Sequence, residues 1–330
     1  MTDSARQIAK RLELNGPVYA YCVDPGAWNL VAPVIETLRE RGQDPKLILD
    51  GWCSRHAGQP SSLSLSQFAE GLLDGRFPRG CLLLGSQMCF STTRRLIALC
   101  RLCGLTSYFV FDHWCNYHHH FVDQASGRVY LPDFIMVPDD LAREKLIEEM
   151  ADHEPEVGQR ISVVGHPGIE SDLQKIARIE EGAKERIKHR LGVNGQGMVL
   201  VLLEPLSSDF GHDHQGRPRL GYCEYSFLGE FFNRYPVGGR KVVIKPHPRQ
   251  PGGRIRDFVA RLAPVQEWRV EEGEELTDLI AVADEVAGMT TVALITALKA
   301  GKPIKSLQPG RNSAGRSLSN AHIEKYLFLA

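Results

Sequence analysis

Ala283–Gly310 reads ADEVAGMTTVALITALKAGKPIKSLQPG. The opening ADEVAG is a short apolar run that ends at Gly288. From Thr290 to Ala300, small and apolar residues recur at helical spacing until Gly301 stops them. Lys302-Pro303 then leads into a second run, Ile304–Leu307. A helix end favours Gly followed by Pro, so the stretch reads as strand, tight turn, helix, strand: a βαβ unit. Gly288 permits the sharp turn and places Thr290 and Thr291 at the helix start. Their hydroxyls and N–H groups then face the carboxyl edge of a parallel sheet, where open α/β sheets bind anions, phosphate above all. An ordinary helix cap accounts for the same two residues.

Working outward, Lys241–Ile244 is a strand that runs straight into Lys245-Pro246-His247-Pro248. The two prolines fix the backbone as it leaves the sheet. Lys245 and His247 are thereby held at the same edge as Thr290 and Thr291 if the strands are neighbours, and a cation and an imidazole beside a helix start make a phosphate clamp.

The same alternation fills the chain. Strands are expected at Pro17–Val23, Pro45–Leu49, Gly80–Leu84, Thr106–Phe111, Asp133–Val137 and Ile161–Val164. After a polar helix over Ser171–Leu191, more follow at Met198–Leu203, Lys241–Ile244 and Trp268–Val270. Each strand is a near-continuous apolar run, the mark of parallel sheets covered on both faces. The fold class is α/β, with two Rossmann-like parallel-sheet domains facing a cleft, one over residues 1–165 and one over 166–330.

The 330 residues suffice for two cores, and 43% apolar with 24% charged residues is a soluble globular composition. A net charge of −1 gives no argument for nucleic acid. No apolar run reaches the length of a membrane-spanning helix, the N-terminus is no signal peptide, and the eight cysteines fall mostly in apolar segments. Those features predict a cytoplasmic protein with reduced thiols and no integral membrane segment. Cys100 and Cys103 form one CxxC with no second pair at zinc spacing.

Chemistry-bearing residues cluster after the strands of the first half. Asp112-His113 begins a run that continues to His118-His119-His120. Asp112 is placed to take a proton from an attacking hydroxyl, with His113 orienting it or sharing the role. Three consecutive histidines cannot all face one ion on a regular element, so no metal is assigned. Asp24-Pro25-Gly26 leads through Asn29 into a helix. Asp24 is a second candidate base, and Gly26 and Asn29 are candidates for cradling an acceptor. Ser86 and Gln87, after the third strand, are placed to hydrogen-bond substrate. His166 lies in Gly165-His166-Pro167-Gly168 at the crossover, on the cleft side. Ser207–Gly216 reads as a long mobile loop, a candidate lid.

With these motifs assembled, the chain resembles the two-Rossmann-domain glycosyltransferases of the GT-B fold, especially bacterial capsule and cell-wall transferases, and the nucleotide-sugar 2-epimerases. ISVVGHPGIESD (161–172) resembles their V-x-G-x-P-x-x-D crossover. KVVIKPHPR (241–249) resembles the K-P-H-P strand end of teichoic-acid-type polymerases and the HP motif of bacterial sialyl- and polysialyltransferases. GMTTVALITALKAGKPIKSLQPG (288–310) resembles their Ser/Thr phosphate motif with E-A-x-x-x-G-K-P. The resemblance implies donor-phosphate binding by Lys245, His247, Gly288, Thr290 and Thr291, and a base at Asp112 or Asp24. It also implies a glycosyltransferase taking a CMP- or UDP-linked sugar and an acceptor, without a cofactor. Thr296-Ala297 replaces the Glu-Ala pair that holds ribose in many UDP-sugar enzymes. An epimerase or hydrolase on the same fold, and a scaffold without chemistry, are the alternatives.

Overall fold

The apolar runs form strands, and three of them, Val18–Cys22, Cys81–Gly85 and Met198–Leu202, are buried along their whole length. In the computed structural model, residues 2–59, 62–193, 195–263, 265–310 and 320–329 are described. The chain divides into two units, Met1–Ser171 and Asp172–Ala330. The first carries β1 (Val18–Cys22), β2 (Lys46–Leu49), β3 (Cys81–Gly85), β4 (Thr106–Val110), β5 (Phe134–Val137) and β6 (Ile161–Val163). They form one parallel sheet in the order β2-β1-β3-β4-β5-β6. The second carries β7 (Met198–Leu202), β8 (Lys241–Lys245), β9 (Trp268–Val270), β10 (Glu285–Gly288), β11 (Ile304–Leu307) and β12 (Leu327–Leu329). Its order, β12-β11-β10-β7-β8-β9, is again all parallel.

All five residues of β1, β3 and β7 are buried, so helices cover both faces of each sheet. In the first unit the helix Asp3–Glu13 buries Ala5, Ile8, Ala9 and Leu12 at a spacing of three to four residues. These join Leu30, Val34 and Leu38 from the helix Pro25–Glu40 in the core. In the second, Phe227 and Phe231 of the helix Glu224–Arg234 pack with Val199, Val201, Val242 and Ile244. Burying each such Ile, Leu, Val or Phe side chain contributes about 1.5–3 kcal/mol.

Two expectations are corrected. The polar stretch Ser171–Leu191 is not one helix but two, Pro167–Ala177 and Glu181–Leu191. Glu180 between them is extended (φ −66, ψ 154), and the helical sequence pattern runs through the break without marking it. The loop Ser207–Gly216 is partly folded. Leu206–Phe210 is a turn of helix, and Asp213 accepts the Arg217 N–H and pairs with its guanidinium at 2.9 Å. No helix among the described residues is long and apolar enough to cross a membrane.

Candidate active site

A parallel sheet opens a crevice where its strand order reverses, at the carboxyl ends of two strands whose connections leave to opposite sides. In the first unit that point lies between β1 and β3, and Asp24 and Ser86 follow those strands. Asp24 caps the helix Pro25–Glu40, its Oδ1 accepting the Ala27 N–H at 2.9 Å, while Oδ2 accepts the Met88 N–H at 3.3 Å. Ser86 is buried. Its hydroxyl donates to Asp112 Oδ1 and accepts the Asp112 N–H at 3.2 Å. Asp112 Oδ1 also holds His113 Nδ1 at 2.7 Å. A Cβ on Gly26 would stand 3.2 Å from Asp112 Oδ2 and 3.5 Å from Asp24 Oδ1, so a bare Cα lets two carboxylates approach one helix start.

Burial alone would raise the Asp112 pKa. The hydrogen bond and charge of His113, the Ser86 hydroxyl and the His166 imidazole outweigh it and bring the value down to about 2. Asp112 is therefore a weak base but a fixed anion. His113 stacks on Tyr117 at 5.8 Å between centroids, and the Tyr117 hydroxyl donates to the His113 carbonyl at 3.0 Å. With Nδ1 on Asp112, Nε2 is the nitrogen left for a substrate, and the His113 side chain keeps 26% of its surface exposed. His166 stacks on Trp114, and its Nδ1 accepts the Ile169 N–H at 3.1 Å. Burial lowers its pKa against the opposing pull of Asp112. Gln87 is also buried, with Oε1 lacking a partner. Asn29 is exposed on the same helix as Gly26, and its carbonyl would lie 2.8 Å from a Cβ on Gly168.

The rings of His118 and His119 lie 4.0 Å apart, while His120 turns into the core. His118 faces Glu149 at 3.3 Å, His119 stacks on Phe90, and His120 is buried among Phe109 and Phe111. Burial holds His120 well below the usual imidazole range. Among the described residues, no three His, Cys, Asp or Glu side chains converge as a metal would need.

The low Asp112 pKa has a stability consequence. Its unfolded value is about 3.9, so its contribution is fully present above that pH and is lost as pH falls toward about 2. Asp112→Asn is expected to be less stable by about 2 kcal/mol at neutral pH. Urea unfolding at pH 7 and again near pH 3 should show the deficit shrinking in acid. An equal deficit at both would mean the carboxylate's charge contributes nothing.

In the second unit the reversal lies between β7 and β10. Thr291 caps the helix Val292–Lys299, its hydroxyl accepting the Ala293 N–H at 3.3 Å. Thr290 donates its N–H to Glu204 Oε2 at 2.7 Å and its hydroxyl to Glu204 Oε1 at 2.8 Å. Burial raises the Glu204 pKa, opposed by these bonds and by the Thr291 N–H. Glu204 follows β7 and was not singled out in the sequence. The available signal was a lone acid between a buried apolar run and Pro205, the same strand-end position that marked Asp112 and Lys245. Gly288 is tight: a Cβ there would lie 3.3 Å from the Leu202 carbonyl and from the Leu294 side chain.

His247 is held by its turn. Its N–H donates to Gln250 Oε1 at 3.0 Å, and its Nδ1 accepts the Arg249 N–H at 3.2 Å. Nδ1 being an acceptor, the ring proton sits on Nε2. Burial, with the Arg249 charge and against Asp209, lowers the His247 pKa to about 4, so the ring is neutral at pH 7. Arg249 forms a two-pronged pair with Asp209, both bonds 2.8 Å. Gln250 also reaches the buried Glu224 at 3.2 Å. Lys245 turns away: its Nζ donates to the carbonyls of Glu272 at 3.0 Å and Glu274 at 2.7 Å.

Two all-parallel doubly wound sheets in one chain, with polar clusters at both reversal points, define a two-unit α/β fold. The structure is similar to the UDP-GlcNAc 2-epimerase from Methanocaldococcus jannaschii, with TM-score 0.60 and 12% identity over 95% of this chain and 88% of that one. It is similar to S. aureus MnaA in a co-structure with UDP, with TM-score 0.60 and 13% identity over 88% and 79%. A glycosyltransferase from Rickettsia africae gives 0.58 and 11% over 89% and 79%. At these identities the likeness is one of fold, the GT-B fold shared by transferases and epimerases. No family model matches the chain, and no curated protein matches it.

Proposed function

We propose that this chain is an enzyme of nucleotide-sugar chemistry. Specifically, it is a glycosyltransferase that moves a sugar from a UDP- or CMP-linked donor to an acceptor hydroxyl in surface polysaccharide or glycoconjugate synthesis. The observation that carries the reading is the Asp112–His113 pair at the end of β4, with Nδ1 on the carboxylate at 2.7 Å and the His113 side chain 26% exposed. A fixed carboxylate on one ring nitrogen makes the other a directed base. In this reading Asp112 positions and His113 accepts the proton, while Ser86 fixes Asp112. Asp24, already engaged by two backbone N–H groups, serves the helix cap and the shape of the crevice. Gly26, Asn29, Gln87 and His166 line the acceptor side.

The second unit takes the nucleotide. His247 offers a neutral Nε2–H to a donor phosphate oxygen, Thr290 and Thr291 form the helix start, Gly288 keeps the turn tight, and Lys245 braces the edge through the 272–274 backbone. As the acceptor oxygen attacks the anomeric carbon, its proton passes to His113. The bond from that carbon to the phosphate oxygen breaks, and the charge gained by the phosphate is met by the His247 N–H and the helix start.

Thermal unfolding with CMP, CDP, UDP, GDP and TDP tests the nucleotide half. A ligand at a hundred times its Kd adds about 2.7 kcal/mol to stability. One nucleotide is expected to raise the melting temperature, and His247→Ala should remove that shift. No shift with any nucleotide would favour a scaffold without chemistry. Incubation of the matching sugar donor alone separates the reactions. Conversion to a 2-epimer without acceptor would replace transfer by epimerisation, the reaction named for the M. jannaschii structure.

A further inference from the structure

The segment that carries His113 is gripped by a carboxylate from another helix. Past Asp112 and His113 the chain runs through Trp114, Cys115, Asn116 and Tyr117 into the short helix His118–Phe121. Among the described residues, Asn116 is the one residue other than glycine with a left-handed backbone, φ 62. Tyr117 returns to the helical region, φ −64 and ψ −40. Such a change of hand brings successive N–H groups into one concavity, which takes an anion. Here the chain fills it with its own. Glu149, in the last turn of the helix Asp140–Met150, accepts the Asn116 N–H at 2.9 Å on Oε1 and the Tyr117 N–H at 2.7 Å on Oε2. Oε2 also reaches the His118 N–H at 3.5 Å and His118 Nδ1 at 3.3 Å. The backbone fixed in this way places two rings on the His113 imidazole. Tyr117 stacks on it at 5.8 Å, and its hydroxyl donates to the His113 carbonyl at 3.0 Å. His120, whose N–H donates to the Tyr117 carbonyl at 3.1 Å, stacks on it at 5.3 Å.

We infer that Glu149 is a positioning residue for His113: by holding the 116–118 backbone it holds the two rings packed on the imidazole, and with them the bond from Nδ1 to Asp112. The inference rests on the transferase reading for its effect on turnover, but not for its effect on the ring. Hydrogen bonds to an ionised acceptor are about twice as strong as neutral ones, so a carboxylate suits this place better than an amide. Without it, two backbone donors lose their acceptor, and the left-handed turn loses the contacts that offset its cost. The turn relaxes, the stacked rings shift, and the imidazole takes more than one orientation against Asp112. The proton is confined to Nδ1 only while that nitrogen is bonded to the Asp112 carboxylate, so a ring that slips from it exchanges between tautomers.

The test is nitrogen NMR of the histidine rings in the full chain, as wild type, Glu149→Ala and Glu149→Gln. It is run in mildly alkaline buffer, where an ordinary imidazole is neutral. The His113 signals are assigned by their loss in His113→Ala. Wild type is expected to show one His113 tautomer, with the proton on Nδ1. Glu149→Ala should show signals averaged between the two tautomers. Glu149→Gln, which keeps the volume and one acceptor oxygen, should fall between and serves if the alanine variant does not fold. Turnover of the sugar donor should drop by about 10–100-fold in the folded variants, with the Michaelis constant little changed. A Glu149 that only stabilises the fold would lower the melting temperature and leave the His113 signals in place, and that result overturns the inference. The outcomes also separate the two readings. A His113 tautomer shift in a chain that turns over no sugar donor removes the transferase reading and leaves the positioning. Full turnover with unchanged His113 signals in both variants does the reverse.

Discussion

Replacing His113 by alanine is expected to lower turnover of the sugar donor by about 10²–10⁴, the range for losing a directed general base. The Michaelis constant should change little, because the ring contributes to the proton transfer and not to holding the nucleotide. Asp112→Asn should cost a comparable factor for a different reason. An amide beside Nδ1 can present its NH₂ group and favour the other tautomer, with the proton on the nitrogen that must receive one. Ser86→Ala, which removes the hydroxyl bonded to Asp112 Oδ1, should cost less, since the His113 bond at 2.7 Å remains. Nucleotide release from the donor, followed with saturating acceptor across pH, gives the measurement. A His113→Ala variant with full turnover would remove His113 from the chemistry and return attention to Asp24.

The strands were readable because parallel strands buried on both faces are almost purely apolar. Val18–Cys22, Cys81–Gly85 and Met198–Leu202 announce themselves by composition alone. The residues just beyond them were also readable as a class, since a polar group at a strand's carboxyl end lies on the sheet edge whatever the strand order. Contacts between two such edges were not. Ser86 meets Asp112 because β3 and β4 are neighbours, and Thr290 meets Glu204 because β10 lies beside β7. That order follows from packing the whole unit, and the βαβ pattern is compatible with several. Lys245 shows the same limit. Its sequence position is that of a phosphate-binding cation, yet two backbone carbonyls of the 272–274 segment claim its Nζ, and nothing local foretells that. The break at Glu180 was hidden because a polar helix sequence continues through it.

Gly80→Ala is expected to destabilise the first unit by about 2–4 kcal/mol, among the larger effects of a single methyl group. A Cβ at Gly80 would intrude on the carbonyl of Pro17. That carbonyl cannot retreat: it accepts the Cys81 N–H at 2.9 Å at the start of the β1–β3 pairing, and the Gly80 carbonyl in turn accepts the Thr106 N–H at 3.0 Å. Relief of the clash must therefore open the central sheet at the ends of three strands, and the crevice carrying Asp24, Ser86 and Asp112 stands at the other end of those strands. The Gly80 backbone is not left-handed, so the cost is one of space and not of dihedral angle. Gly229 supplies the opposite sign. It lies within the helix Glu224–Arg234, and a Cβ there would meet nothing within 4 Å. Gly229→Ala should stabilise by about 0.5–1 kcal/mol by removing unfolded-state freedom. Urea unfolding of both variants checks the pair. If Gly80→Ala proves as stable as wild type, Pro17 and β3 have room to part, and the close register of β1 on β3 is not what holds together the sheet that carries Asp112 and His113.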